Sequence, residues 1–528
     1  LIELPANIEA ELRNGLRPQT FGRAKVNSPY LLDLAGLRVG QLGLEPSVLP
    51  KDPFGGLKSV DWPFPQLFRG DDVSLLATRD KIHTVSEGSG VWTTTSLSLS
   101  DTSSPSTTKS VTEGGVWHHA DMGGSWYLFN GNCTVFVTGI DSLIPQAAKY
   151  WINDSVTIKT GCKHQNRVVI GGLGSNIFSE HMSNIFRKIQ MHAADDWITS
   201  FDDIGQNYIL WGSVGGGDFP LWLFMPTQYP APFKPTYEKF IERLKRNQFG
   251  WAPCTFRGTV QVVKSLGRHL IAYGTDGVTA FTHISGEGDV PATYGANSPA
   301  LPIMSGLGIY DRGAVAGNDQ IHYWIDPTGK MWSLNANLEL EERGYEEYFS
   351  EATERGETFV GTYDPIEGDF YFSTEERGFL LTASGLSRSL YRFPNFTSWG
   401  GKRYAVEKAD GNLSGKYAVL ETNAFDLRDR SRKTITAVNL GYRGGGTVEV
   451  ALRYKNSASG SWNMTHWVPV SPEGNAAIRV QALEHRVMVR ASDPTTFELE
   501  YITPKVQRDD RRWRRGPTEG TRVARDVG

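Results

Sequence analysis

In LIAYGTDGVTAF (270–281), two apolar and aromatic runs flank a Thr-Asp-Gly turn. Asp276-Gly277 is a dipeptide of the kind that supplies the positive φ angles of a two-residue loop, so the segment reads as a tight antiparallel hairpin. The plan recurs in SLLATRDKIHTV (74–85), WYLFNGNCTVFV (126–137), HYWIDPTGKMWSL (322–334) and VGTYDPIEGDFYFS (360–373). Asn130-Gly131 repeats the positive-φ signal, while Asp326-Pro-Thr-Gly329 and Asp364-Pro365 start type I turns in which proline presets φ. With centres near 81, 131, 276, 328 and 368, the turns lie about 40–52 residues apart except across 131–276, where the strands are less regular; that spacing is the period of a four-stranded propeller blade.

Composition agrees with a turn-dense β protein. Glycine (57) and proline (27) are abundant, and Trp (15), Tyr (20) and Phe (25) add a large aromatic load. That load excludes disorder for most of the chain, and so much glycine excludes a helical bundle. At 528 residues the chain is too long for one ordinary core. The balance of 54 basic against 58 acidic side chains, net −4, argues against a protein that coats nucleic acid over its whole surface. Three cysteines, none in a CxxC pair, form neither a disulfide framework nor a metal scaffold. The opening LIELPANIEA lacks a signal-peptide pattern, and the longest strongly apolar run, FPLWLFMP (219–226), falls far short of a membrane helix. Assembly in a reducing cytoplasm is the expectation.

Along the chain, 1–60 reads as an extended N-terminal arm of short apolar pieces broken by Gly and Pro. Residues 61–430 carry the hairpins and read as a β-propeller, interrupted at about 174–255 by a helical insertion. There Met182, Ile185, Phe186 and Ile189 share one helical face, as do Tyr237, Phe240, Ile241 and Leu244. Ser and Thr crowd 93–112 as a polar loop or hairpin. Period-two alternation from 431 to 505 predicts a C-terminal β-sandwich, and 506–528 form a basic tail. The expected class is all-β dominated: a propeller with an α-containing insertion and a C-terminal sandwich.

A search for chemistry returns little. Phosphate-loop, GxGxxG, GxSxG and HExxH patterns are absent. His118 and His119 are adjacent, and neighbouring strand side chains point to opposite faces, so they do not converge on one ion. His192 and Asp196 stand four apart on a helix without a third ligand, and Glu339, Glu341, Glu342, Glu346 and Glu347 read as a solvated acidic face. No catalytic, cofactor-binding or metal-binding residue is assigned, and the chain is expected not to be an enzyme. Two segments stand out as contact surfaces. Arg508, Arg511, Arg512, Trp513, Arg514 and Arg515 suit a partner's carboxylates or phosphates plus an aromatic contact. Phe219, Leu221, Trp222, Leu223 and Phe224 form an apolar tip, either packed on its own helix or gating a channel.

SVDWPFPQLFRGDD (59–72), SLGRHLIAYGTDGVTAF (265–281) and FVGTYDPIEGDFYFSTEERGFLLTASGLSRS (359–389), in their arm-then-propeller order, resemble the tail nozzle or hub proteins of short-tailed bacteriophages. The resemblance implies a structural component of the virion tail, assembled in the host cytoplasm. It further implies a homo-oligomer, a hexameric ring hung below the portal and adaptor. That ring continues the channel for viral DNA and carries tail fibres or tailspikes. An acidic body offers such a channel a wall that does not hold phosphate. The rival expectation is a free-standing propeller, either a carbohydrate-active enzyme or a lectin-like adhesin.

Overall fold

The computed structural model describes residues 12–16, 28, 30–47, 62–69, 74–88, 91–101, 108–123, 125–138, 149–153, 157–174, 206–212, 250–282, 300–399, 402–406, 417–425 and 432–508. Among these, β-structure dominates, arranged in many small sheets.

Six antiparallel four-stranded meanders follow one another in chain order. Sheet I comprises Gln66–Arg69, Ser74–Ala77, Ile82–Gly88 and Val91–Ser96. Sheet II comprises His118–Asp121, Ser125–Phe129, Thr134–Thr138 and Lys149–Asn153. The polar stretch after sheet I adds the short hairpin Leu99–Asp101 and Thr108–Lys109 to its outer edge. Sheet III comprises Thr157–His164, Arg167–Gly174, Tyr208–Trp211 and Gly250–Pro253. Sheet IV comprises Val260–Leu266, His269–Gly274, Gly277–Thr282 and Leu301–Ser305. Sheet V comprises Val315–Gly317, Ile321–Ile325, Met331–Asn335 and Leu340–Gly344. Sheet VI comprises Val360–Tyr363, Phe370–Ser373, Gly378–Leu381 and Leu386–Ser389. A two-stranded sheet VII, Asn395–Trp399 and Lys402–Val406, ends the series.

Each sheet is too small to bury both faces, so it packs on the next. Trp117, Trp126 and Val135 of sheet II and its approach meet Phe68, Leu75 and Ile82 of sheet I. Phe129 lies over Gly161 of sheet III, where a Cβ would collide with its ring. Sheets III and IV share Val169, Trp211, Val263 and Phe281; sheets IV and V share Tyr273, Val278, Val315 and Trp324. Tyr371 of sheet VI stacks on Phe396 of sheet VII at 4.4 Å between centroids. Tyr404 of sheet VII then packs on Leu67, Leu76 and Trp92 of sheet I. The seventh sheet thereby touches the first.

The largest core cluster lies where sheets V and VI meet a β-sandwich. Helix α1 (Glu346–Glu354) crosses this junction with Phe349 fully buried against Phe359, Phe372 and Phe379. One sandwich sheet is built on Lys433–Arg443 paired with Glu498–Arg508. The other is built on Ala418–Glu421, Glu484–Ala491 and Val448–Lys455. Chain from the region read as an N-terminal arm completes both. Asp33–Ala35 pairs antiparallel with Ala418–Glu421 and parallel with sheet VI at Ala35 and Arg388. The hairpin of Leu37–Val39 and Leu44–Pro46 adds to the other sheet through Leu44 and Leu499. Arg38 anchors it to sheet VI, donating to both carboxylate oxygens of Asp369 at 2.6 and 3.1 Å. These residues carry strands because their apolar side chains (Leu34, Leu37, Val39 and Leu44) are buried in that core.

Several local expectations change. Tyr208–Trp211 and Gly250–Pro253 are strands of sheet III, so the described residues inside 174–255 belong to the sheet; the expected helices there lie outside the described residues. The last strand runs to Arg508, three residues beyond the expected sandwich boundary at 505, because Val506, Gln507 and Arg508 pair with Ile435, Thr434 and Lys433. Gly131 has φ +95°, as expected of its turn, but the loop spans four residues and is organised by Asn130, whose Oδ1 accepts from the N–H of Asn132 and Cys133. Gly277 does not adopt positive φ. The loop there is Thr275-Asp276, and Gly277 already pairs in the strand. Glycine is needed at 277 for space: a Cβ would lie 2.6 Å from Cβ of Phe256 and 3.0 Å from the carbonyl oxygen of Met304. Gly277→Ala is therefore expected to destabilise by about 1–3 kcal/mol through overpacking. Gly123→Ala, at φ +81° in open space, should cost about 1 kcal/mol. Thermal unfolding of the two variants separates the mechanisms.

Candidate functional site at the junction of the sheets

The first strands of sheets II and III, III and IV, V and VI, VI and VII, and VII and I lie against one another. First strands or their immediate flanks from all seven sheets line one cavity of about 630 Å³. Its wall includes Arg69, His118, His119, Asp121, Cys162, Lys163, Lys264, Arg312, Asp319, Tyr363 and Asn395.

Polar ties join every neighbouring pair of sheets near this cavity. The backbone N–H of Trp117 donates to Oε1 of Gln66 at 2.7 Å, linking II to I. His118 lies 3.2 Å through Nε2 from the carbonyl oxygen of Arg312, so that nitrogen carries the proton, and Nδ1 accepts from the Thr160 hydroxyl at 2.7 Å. The same hydroxyl accepts from the N–H of Val263 at 3.0 Å. One threonine thus connects sheets II, III and IV. By the same logic His322 donates to the carbonyl of Ser265 and accepts from Tyr273, both at 2.8 Å, joining V to IV.

Asp311 and Arg312, just ahead of sheet V, make the densest junction. The Arg312 guanidinium donates to the carbonyls of Asn130 at 2.5 Å and Phe129 at 3.4 Å, and also to that of Lys159. Asp311 accepts from the N–H of Gly313 at 3.0 Å and of Phe359 at 2.9 Å. Burial lowers the guanidinium to about 10, which leaves it charged at neutral pH. Arg403 pairs with Asp364 to tie VII to VI, and the Asn395 amide donates to the Leu67 carbonyl to tie VII to I.

Burial sets the protonation states around the cavity. His119 stands between the rings of Phe68 and Trp126, at 4.6 and 5.6 Å between centroids, and is itself exposed to the cavity. His118 is lowered by burial, then by Arg312. His322 falls to about 3, and desolvation pushes the Cys162 thiol up to about 12. A thiol held protonated is a weak nucleophile. Lys264 is lowered by desolvation, and Cys162 opposes this slightly.

The structure places the sequence candidates unevenly. Arg508 closes the last sandwich strand, while Arg511, Arg512, Trp513, Arg514 and Arg515 lie outside the described residues. Phe219, Leu221, Trp222, Leu223 and Phe224 also lie outside them, as do His192 and Asp196. His118 and His119 turn to different neighbours, as strand alternation requires. Of the acidic group, Glu341 pairs with Arg343, Glu342 pairs with Lys330, and Glu339, Glu341, Glu342 and Glu347 are exposed. Sequence reasoning missed Thr160, Lys264, Asp311 and Arg312. Their available signal was position, each standing in or just ahead of the first strand of a repeat. No protein-family model and no curated protein sequence matches the chain.

Arg312→Met would remove three hydrogen bonds from a buried cation to backbone carbonyls and is expected to cost about 3 kcal/mol or more, with Arg312→Lys recovering only part, read by thermal unfolding. The depressed histidines, with His485 at about 4, predict a pH effect. Their stabilising contribution is complete above their unfolded value of about 6.5 and is lost as pH falls toward 4. Asp311, raised to about 7, and Asp369, also raised, run the other way, losing their contribution as pH rises above about 4. With the imidazoles in the majority, the melting temperature should drop between pH 6.5 and 4.5. His322→Gln should flatten that slope, and a melting temperature that rises on acidification contradicts the assignment.

Proposed function

We propose that sheets I–VII are the blades of a β-propeller, six of four strands and one of two, with the first strand of each nearest the axis. Support comes from the shared cavity, the chain-order meanders and the contact of sheet VII with sheet I. We further propose that the protein is a structural part of a short-tailed phage tail: a nozzle or hub subunit that forms a ring, six-membered in this reading, below the portal and adaptor. Viral DNA passes through the ring, and fibres or tailspikes attach to it.

The observation that carries this reading is the resemblance of 59–72, 265–281 and 359–389 to nozzle proteins. The described parts of all three occupy scaffold positions: Trp62–Arg69 enters sheet I, 265–281 builds sheet IV and 359–389 is sheet VI. The likeness is therefore to a framework. Sheet VI, the N-terminal strand and one sheet of the sandwich form one hydrogen-bonded sheet, a construction suited to bearing load. The axial cavity equals a cube about 9 Å on a side, below the ~12 Å width of the DNA major groove alone. In this reading DNA runs between subunits, through the middle of the ring.

Electron microscopy and native mass spectrometry of the protein alone and with its adaptor test the proposal. Closed rings with an opening wide enough for duplex DNA are expected. A protein that stays monomeric with its adaptor and cleaves or binds polysaccharide would overturn it in favour of an enzyme or adhesin. The basic tail supplies a finer test. Removing 509–528 should leave the melting temperature almost unchanged while weakening ring or adaptor attachment. Removing 506–528 should also cost stability, because three paired residues go with it. Equal incorporation of the 1–508 chain into particles would dismiss the tail as a clamp.

A further inference from the structure

We infer that the central cavity is a binding site for a small multivalent oxyanion, bearing phosphate or carboxylate groups, with Lys264 as the charge that holds it. The inference stands on the geometry of the single chain and does not depend on ring assembly.

The volume of about 630 Å³ lies within the range of small-molecule sites. Four basic side chains, Arg69, Lys163, Lys264 and Arg312, share the wall with two carboxylates, Asp121 and Asp319. The guanidinium of Arg312 is engaged with backbone carbonyls, so it contributes field more than free donors. Lys264 differs. Its strand belongs to sheet IV, yet the ammonium acts electrostatically on His118 and His119 of sheet II, Cys162 of sheet III and His322 of sheet V. It is therefore central among four sheets. No carboxylate among the described residues pairs with it, and its side chain is part-buried in the cavity wall.

A part-buried ammonium facing a cavity that holds more basic than acidic side chains, with no carboxylate partner of its own, favours an anion as its partner. An oxyanion offers the missing partner: the three N–H donors of Lys264 point-charge it, and the surrounding cations add attraction in a medium of reduced dielectric. The neutral imidazole of His119 and the Asn395 amide line the same space and supply further polar contacts.

Titration calorimetry of the full chain at pH 7.5, with inorganic pyrophosphate in one arm and citrate in the other, tests this. One of the two should saturate at one site per chain, and the tighter binder assigns the ligand to phosphate or carboxylate chemistry. Lys264→Met, which keeps the stem and removes the charge, should weaken that binding at least tenfold. Arg443→Met, exposed on the sandwich, should bind as the parent does. Should Lys264→Met fail to fold, the parent protein carries the test: the tighter anion should slow acylation of Lys264, mapped by peptide mass spectrometry, and leave Lys505 unprotected. No saturable binding to either anion, binding unchanged by Lys264→Met, or equal protection of both lysines overturns the proposal.

Discussion

The Asp311–Arg312 dipeptide is the constraint on which the arrangement of sheets depends. A small antiparallel meander has no reason of its own to sit at a particular angle to the next; apolar faces alone would let it slide. Arg312 reaches the backbone carbonyls that end the second strand of sheet II and open its turn, and one from the first strand of sheet III, while Asp311 holds the N–H groups entering sheets V and VI. Directional hydrogen bonds made by a buried cation and carboxylate convert four greasy contacts into one geometry. Thr160 and His118 extend the same network to sheet IV without any net charge.

Beyond that junction, the chain ends decide how the two large bodies join. The N-terminal strand Asp33–Ala35 lies between sheet VI and the sandwich and hydrogen-bonds to both. Helix α1 fills the space beneath it with Phe349, in a cluster that runs without interruption from sheet V to the sandwich. Residues more than 300 positions apart, such as Arg38 and Asp369, are locked by a bidentate ion pair in the same region. A shared sheet and a shared core leave little freedom for hinge motion between the bodies. That rigidity fits a load-bearing role better than an induced-fit one.

The cavity adds a different kind of information. Most of its polar side chains have partners, and they read as structural latches. Lys264 stands apart because it carries charge into the same space and no carboxylate among the described residues pairs with it.

Local patterning alone settled the strand content, the hairpins and their spacing. Asp326 and Asp364 begin the turns they were expected to begin, because side-chain acceptors three or four bonds from the backbone act locally. Alternation likewise marked 431–505 as strands, the last of which pairs through Arg508. What tertiary structure alone decided involves partners distant along the chain. Among the described residues of the arm, three strands form because Leu34, Leu37 and Leu44 are buried in a core built by residues 314–502. Gly277 proved to answer to Phe256 rather than to its own turn, since nothing in a dipeptide announces what will pack on it. The cavity residues were illegible for the same reason. Lys264, His118 and Cys162 are unremarkable in their own strands, and only the packing of the sheets on one another brings their charges and dipoles within reach of one another.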